Sequence, residues 1–337
     1  MKSFILKFSC FFFIPLVLLA GIYVISDPFK TLRKFSIKSF STVNREYLST
    51  ELYLKNQPVQ HYNSFIFGSS RGCGLNTYQW KSYLPKGSRQ FLFQAWGETI
   101  TGIYQKINYL DKSKSALNNV IVLLDIPASF AENQEPNTAI GIKHYLFTGK
   151  SPFYFQCVLF YSFIKPTEIY QSTKTLFQKP VYPVEFDTIS NDWFKTNKDT
   201  RGIRPVQNRS LDKTKFHSRP DRESFSEKVI HSEFEKTLNK IKIIFDKHKT
   251  AYTIIITPDY NQLHIHPYDL QLLQRIFGEK NVSNYSGKNN ITDDKYNFMD
   301  INHFDRIAGW QIIEDIYKNK KQKIHSNQLN FTELCLK

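Results

Sequence analysis

The chain has 337 residues, of which 41% are hydrophobic and 15% aromatic, so it can build a sizeable core and is not a disordered protein. Its 45 basic and 30 acidic residues give a formal charge of +15, which favours anionic partners such as phospholipid head groups or acidic glycans. The basic residues are scattered, mostly as lysines, without an arginine-rich helix, zinc module or RNP-type motif, so no nucleic-acid partner is expected.

Residues 1–26 predict a membrane anchor. Lys2 and Lys7 are followed by an apolar run, residues 8–25. About 18 such residues, at ~1.5 Å each, nearly cross a ~30 Å hydrocarbon core. The residues after the run offer neither a small-x-small cleavage site nor a lipoprotein cysteine, which favours an uncleaved signal anchor. We therefore expect contact with a membrane through residues 5–25.

The next part of the chain predicts alternating strands and helices. Residues 27–60 are a basic connector without a steady hydrophobic period. Apolar runs at residues 64–67, 90–95 and 119–126 predict three strands, the third buried on both faces, and residues 101–111 predict a helix. This alternation is typical of a parallel sheet with right-handed crossovers.

The pattern dissolves after residue 127 and returns near residue 225. Residues 128–224 mix aromatic residues, prolines and lysines, and we interpret them as an insertion that caps the active-site edge. Within it, the uncharged segment 153–163 predicts a helix, either a buried cap helix or one lying on a membrane. Asp187 and Asp192 are interpreted as solvated loop residues.

The last third of the chain is again regular. It predicts a helix, a strand, a helix, a weaker strand and a final helix, at residues 226–249, 251–256, 267–277, 281–285 and 304–318. The sequence thus predicts an α/β protein with a parallel sheet. Its predicted parts are the anchor (1–26), the connector (27–60), an α/β domain in two segments (61–127 and 225–320), the cap insertion (128–224) and a basic tail (321–337).

Two short segments carry the chemistry. Ser69 and Ser70 follow the first apolar strand, where an exposed nucleophile is commonly held, and Asp300 lies three residues before His303, so a turn brings both side chains to one side. A serine needs an imidazole to take its proton and a carboxylate to orient that imidazole. The predicted triad is Ser70, His303 and Asp300, with Ser69 as a rival nucleophile. The triad requires Ser70 within hydrogen-bond reach of His303.

This arrangement resembles the SGNH hydrolase superfamily, also called GDSL-like esterases, and in particular its membrane-anchored envelope branch that includes the D-alanyl transfer protein family. The tetrapeptide Phe-Gly-Ser-Ser resembles the family's Phe-Gly-Asp-Ser block, with Ser69 at the usual Asp and Ser70 at the nucleophile. Asp300-x-x-His303 resembles its last block. Gly97, after the second strand, is where the family has a glycine whose amide joins that of Ser70 in the oxyanion hole.

The third block departs from the family. The resemblance covers residues 60–127 and 250–318, but after the third strand the usual Gly-x-Asn is absent and Asp125 follows instead. Ser129 and Asn76 are candidate replacements for the lost oxyanion donor. The residue after the nucleophile, Arg71, either orients an anionic substrate or pairs with a buried carboxylate.

The resemblance implies a flavodoxin-like three-layer SGNH domain that needs no metal or organic cofactor. It implies a serine esterase or O-acyltransferase that acts, through an acyl-serine, on an acylated glycan or related polymer of the cell envelope. The alternative is a non-catalytic envelope protein that keeps the fold for binding or assembly. Envelope enzymes of this kind have their main domain outside the membrane, which we expect here, although the basic residues after the anchor favour the opposite orientation and an anionic lipid surface.

A metal site is a weaker alternative. His264 and His266 are alternate residues, which share a face on a strand, and Asp259 precedes them. No second His or Cys pair accompanies them, so we expect a polar surface loop and no metal. The four cysteines do not make a disulfide framework, which leaves the redox compartment open.

Overall fold

The computed structural model describes residues 2–32, 44–132, 139, 141–177, 184–195, 216–219 and 222–318. The predicted basic tail (321–337) lies outside the described residues. In chain order the helices are α1 (Lys2–Ser26), α2 (Arg45–Gln60), α3 (Thr77–Lys81), α4 (Ile100–Lys112), α5 (Tyr145–Thr148), α6 (Pro152–Phe163), α7 (Pro166–Phe177), α8 (Ser232–His248), α9 (Pro267–Phe277) and α10 (306–318). The strands are β1 (Ser64–Gly68), β2 (Gln90–Gln94), β3 (Asn119–Leu124), β4 (Val184–Phe186), β5 (Trp193–Lys195), β6 (Ser224–Phe225), β7 (Ala251–Ile256), β8 (Leu263–His264), β9 (Val282–Asn284), β10 (Phe298–Asp300) and β11 (His303–Phe304).

Five parallel strands form the central sheet, in the order β2-β1-β3-β7-β9. The chain begins the sheet at β1, adds β2 on one side and then builds outward on the other side from β3. The strand order therefore reverses between β1 and β3, and at such a point ligands bind beyond the carboxyl ends of the strands. The predicted parallel α/β sheet is confirmed.

The two faces of the sheet are covered by helices because successive side chains of each strand point in opposite directions. Phe65 and Phe67 of β1 belong to a core that includes buried residues of α2, α4, α8 and α9. Ile66 belongs to a second core with Trp80 of α3 and Ile312 of α10. Helices thus lie on both faces of the sheet.

Helix α2 was not predicted, because residues 27–60 lack a hydrophobic period. Its buried face is largely polar and includes Arg45, Glu46 and Ser49. Asn44 begins the helix: its side chain accepts a hydrogen bond from the Tyr47 amide. Leu48, Leu52 and Tyr53 are buried on the same helix, but the buried polar side chains beside them weaken the apolar period that sequence analysis detects.

Residues 187–192 cover the outer edge of β2. The amide of Leu92 donates to the Ser190 carbonyl at 2.9 Å, and the Asn191 side chain donates to the Leu92 carbonyl at 2.6 Å. Asp187 and Asp192 in this segment are buried, and the interpretation that both are solvated was wrong. Their carboxylates accept backbone hydrogen bonds within the segment and from α3. These bonds hold residues 187–192 at the edge of β2.

The apolar side chains of α1 are largely exposed; Phe11, for example, is 83% exposed. Near its end, Tyr23 packs against Phe160 and Phe163 of α6, with ring centroids 5.3 and 5.2 Å away. Helix α6 agrees with the predicted helix at residues 153–163, with Phe163 buried and Phe153 exposed. Within the described ranges, no helix is both apolar enough and long enough to cross a membrane.

Candidate active site

The turn after β1 presents two serines at the carboxyl edge of the sheet. Ser69 is buried, and its hydroxyl accepts a hydrogen bond from the Arg71 amide at 3.2 Å. Ser70, half-buried, begins a short 3₁₀ turn that ends at Gly74. The first amides of a helical turn have no acceptor within the turn, so the Ser70 amide is suited to binding an oxyanion.

Ser70, His303 and Asp300 are brought together. The Ser70 hydroxyl lies 2.9 Å from His303 Nε2, and His303 Nδ1 lies 2.8 and 3.0 Å from the two carboxylate oxygens of Asp300. In this geometry the carboxylate holds the imidazole with Nε2 facing the hydroxyl, as a serine nucleophile requires. Their catalytic roles remain predictions.

A short hairpin holds the base and its carboxylate. Asp300 ends β10 and His303 begins β11, and the two are antiparallel partners. Asp300 Oδ1 also accepts the amides of Asn302 and His303, at 2.8 and 2.9 Å. These bonds lie within the hairpin. They therefore orient the Asp300 carboxylate independently of the turn that carries Ser70, residues 69–74, which we call the nucleophile turn.

Two glycines let the nucleophile turn and α10 touch. A Cβ at Gly309 would lie 1.8 Å from the Gly74 carbonyl oxygen, and a Cβ at Gly74 would lie 2.2 Å from the ring of Phe304. Real side chains do not fit at either distance, so only glycine permits this contact. The contact places the turn that carries Ser70 against the segment that follows His303.

Arg71 joins three loops. Its guanidinium donates to the Asn302 carbonyl at 2.7 Å, to the Thr257 hydroxyl at 2.9 Å and to the Asp259 carboxylate at 3.1 Å. The Arg71 side chain is only 11% exposed. Of the two roles that the sequence left open, the structure shows pairing with a carboxylate.

Asp125 occupies the place where the family resemblance implied a Gly-x-Asn block. This buried carboxylate accepts hydrogen bonds from the hydroxyls of Ser69 and, at 2.8 Å, Thr257, and it lies 3.8 Å from Nε of Arg71. These contacts therefore hold the turn that carries Ser69 and Ser70 in place. Sequence analysis noted the position of Asp125 but missed this role, because Thr257 is 132 residues away.

Ser69 is less suited than Ser70 to act as the nucleophile. Its hydroxyl donates to Asp125, and it is buried. Ser70 is the serine that contacts His303. The structure thus separates the two serines into one that holds the turn and one that faces the imidazole.

Gly97, the second predicted oxyanion residue, is exposed in the loop after β2 and has a φ of +60°. The two candidate replacements for the missing donor both accept hydrogen bonds through their side-chain oxygens. The Ser129 hydroxyl accepts the Asp125 amide at 2.8 Å, and the Asn76 side chain accepts the Tyr78 and Gln79 amides at the start of α3.

A buried charge cluster anchors the loop that carries Gly97. Glu98, the next residue, forms ion pairs with Lys106 of α4 and with Lys143, and Lys106 also lies 2.9 Å from Glu46 of α2. Burial acts to raise the pKa of Glu98, but the two ammonium groups outweigh it and hold the pKa at about 2. For Glu46, burial prevails and the pKa is raised.

The histidine motif does not form a shared site. The His266 ring accepts the Tyr268 amide at the start of α9, at 3.2 Å, whereas the His264 ring stacks on Phe225. Asp259 pairs with Arg71. Among the described residues there is no group of three or more His, Cys, Asp or Glu side chains that could hold a metal ion.

Comparisons with protein-family models, with curated proteins and with solved structures found no match for this chain. Any functional conclusion therefore rests on the geometry of the site and on the sequence motifs.

Proposed function

We propose that this chain is a serine esterase or O-acyltransferase of the SGNH type that acts on an acylated glycan or related polymer of the cell envelope. The observation that carries the proposal is the continuous relay from Ser70 through His303 to Asp300, with separations of 2.9 and 2.8 Å. The five-stranded parallel sheet and the location of Ser70 after β1 are compatible with a flavodoxin-like SGNH domain.

In the proposed reaction the Ser70 oxygen attacks the ester carbonyl carbon, and its proton passes to His303 Nε2. Asp300 stabilises the imidazolium, and the amides of Ser70 and Gly97 stabilise the oxyanion. The bond to the leaving alcohol breaks as His303 returns the proton to it. An acceptor hydroxyl or water then attacks the acyl-serine, which gives transfer or hydrolysis.

Asp125 favours a second candidate function, a non-catalytic binding or assembly protein on the same fold. It replaces an expected neutral donor by a carboxylate, and loss of one oxyanion donor typically costs ~3 kcal/mol of transition-state stabilisation. Against this, the Asp125 carboxylate is engaged by two hydroxyls and lies near Arg71. Its charge is thus partly compensated within the turn.

We further propose that α1 attaches the protein to a membrane, with the α/β domain outside the cytoplasm. The support for attachment is the exposure of apolar side chains along α1 beside Lys2 and Lys7. Extraction of membranes with alkaline carbonate tests attachment, and protease protection of the domain in intact cells tests orientation. Release of the full chain by carbonate would contradict an anchor.

The catalytic proposal is tested by labelling the full chain with a fluorophosphonate and measuring intact mass. We expect one adduct on the wild type and none on Ser70→Ala or His303→Ala, because only a deprotonated serine attacks phosphorus efficiently. Ser69→Ala is the matched control and should keep the adduct. A folded wild type that stays unlabelled would reject the proposal and favour the non-catalytic alternative. An adduct that survives Ser70→Ala would reject Ser70 as the nucleophile.

A further inference from the structure

A cavity of about 520 Å³ lies beside the loop that carries Gly97. This volume is within the range of ~300–1,000 Å³ that is usual for small-molecule sites. Much of its wall is apolar, and the aromatic and aliphatic side chains in it include Trp96, Ile142, Tyr145, Phe155 and Val158.

The cavity adjoins one residue of the proposed catalytic centre. Gly97, the predicted oxyanion residue, is part of its lining, and so are Ala128 and Ala131, which follow β3. These three residues are exposed, so the cavity is accessible from the carboxyl edge of β2 and β3. An ester whose carbonyl oxygen met the Gly97 amide would have one substituent directed along this wall.

Three charged side chains, those of Glu132, Lys143 and Lys150, line a cavity whose wall is otherwise mostly apolar, and Glu132 is exposed. Lys143 is paired with the buried carboxylates of Glu98 and Glu46, which offset its charge. Lys150 is exposed, and its ammonium group lies 4.4 Å from the ring centroid of Tyr154. A hydrocarbon chain in this cavity would therefore meet mostly apolar surface.

Helix α6 connects the cavity with α1. Phe155 and Val158 of α6 line the cavity, whereas Phe160 and Phe163 of the same helix pack against Tyr23 of α1. The cavity thus lies between the Gly97 loop and the helix that we propose attaches the protein to a membrane. Acyl chains are the apolar ligands that a membrane supplies to such a position.

We infer that this cavity holds the acyl chain of a lipid-type acyl donor, whose ester carbonyl lies at the Gly97 amide. The inference rests on the proposed function and names the acyl group that is transferred. Ser70 takes the acyl group from the donor alcohol, which leaves with the proton carried by His303. The chain remains in the cavity until an acceptor hydroxyl or water attacks the acyl-serine.

Binding is measured without catalysis, by quenching of Trp96 fluorescence in the full chain, held in amphipol, with 11-bromoundecanoate. Trp96→Phe identifies the part of the signal that comes from the cavity. We expect saturable quenching that is lost in the double variant Ala128→Leu/Ala131→Leu, because leucines at these exposed positions fill the cavity. Ala116→Leu is the matched control, since Ala116 is exposed and lines a different cavity.

Chain length gives a second measurement. Each methylene that leaves water changes the binding constant by about fourfold, so 8-bromooctanoate should bind at least about tenfold more weakly than 11-bromoundecanoate. Absence of saturable quenching, quenching that persists in the double variant, or no dependence on chain length would each overturn the inference. Because binding needs no acyl transfer, a failure of fluorophosphonate labelling would reject the proposed function without altering this result.

Discussion

Arg71 donates a hydrogen bond of 2.7 Å from Nε to the carbonyl oxygen of Asn302. The residue after the candidate nucleophile is thereby bonded to the residue before the candidate base, although 231 residues separate them in the chain. Further bonds from the same guanidinium reach Thr257 and Asp259. Arg71 therefore links the turn that carries Ser70 to the hairpin that carries His303.

The first prediction concerns this positioning role. Arg71→Lys keeps the charge but loses the planar fork, so it cannot reach all of the acceptors at once. We expect the rate of fluorophosphonate labelling of Ser70 to fall by roughly 10- to 100-fold, since small displacements of reacting groups have effects of this size. With a 4-nitrophenyl ester, the loss should appear in kcat and leave KM nearly unchanged.

Arg275→Lys is the matched control. Arg275 is 66% exposed and pairs with Glu235 on the surface, so the substitution should change neither the labelling rate nor stability measurably. Equal labelling rates for wild type and Arg71→Lys would show that Arg71 does not position the two loops.

Asp300→Asn tests the orientation of the base. The amide oxygen still accepts the backbone amides of the hairpin, but the side chain no longer carries the charge that stabilises a protonated His303. We expect labelling to slow by roughly 10²- to 10⁴-fold while the circular dichroism spectrum is unchanged. Asp293→Asn, at an exposed aspartate nearby, should label at the wild-type rate. Wild-type labelling of Asp300→Asn would remove Asp300 from the triad.

Asp125→Ala tests the support of the nucleophile turn. It leaves the Ser69 hydroxyl without its acceptor, leaves the Thr257 hydroxyl only the Leu124 carbonyl at 3.4 Å, and removes a carboxylate beside Arg71. We expect the free energy of unfolding to fall by about 3–5 kcal/mol. Asp125→Asn keeps one acceptor oxygen and should lower it by only about 1–2 kcal/mol. Urea denaturation measures both, and a loss under about 1 kcal/mol for Asp125→Ala would contradict the assigned role.

The elements that sequence analysis predicted well are those whose apolar pattern is strong. Strand β7 and helix α9 have the expected bounds. Strands β1 and β2 each differ by one residue at one end, and α4 differs by one residue at each end. Each of these elements buries an uninterrupted run or a clear stripe of apolar side chains, so local sequence suffices to predict it.

Contacts between segments that are distant in the chain could not be predicted from local apolar patterns. The bond between Asp125 and Thr257 depends on β3 lying beside β7, and the sequence does not encode that strand order in any local pattern. The pairing of Ser70 with His303 was predictable because their motifs resemble a known family in order and spacing. The roles of Arg71 and Asp125 had no such motif to indicate them.

Gly309→Ala tests the contact between α10 and the nucleophile turn. The added Cβ would lie 1.8 Å from the Gly74 carbonyl oxygen, so α10 and the turn must separate. We expect a loss of stability of about 1–3 kcal/mol and slower labelling of Ser70, measured together on the same preparation. Gly21→Ala is the control, because nothing lies within 4 Å of a Cβ there. Unchanged labelling and stability in Gly309→Ala would contradict the close contact.

Asp192→Asn tests the buried carboxylate at the edge of the sheet. Burial raises the pKa of Asp192 to about 6, from an ordinary value of 3.8, although Thr77 donates two hydrogen bonds to it. Because the folded-state pKa is raised, the stability that this group contributes is fully present below about pH 4 and is lost as the pH rises through 6. The asparagine variant stays neutral. Its stability relative to the wild type should therefore increase by about 2 kcal/mol between pH 4 and pH 7.

Chemical denaturation across this pH range provides the measurement, and Asp246→Asn provides the control. Asp246 is an exposed carboxylate on α8 that pairs with Lys242, so its variant should differ from the wild type by less than about 1 kcal/mol at every pH. If the stability curves of Asp192→Asn and wild type run parallel from pH 4 to pH 7, Asp192 has the same pKa in the folded and unfolded states. Burial of the ionised Asp192 carboxylate against α3 would then not lower the free energy of unfolding at neutral pH. Asp192 would also contribute nothing to the pH dependence of residues 187–192, which cover the edge of β2.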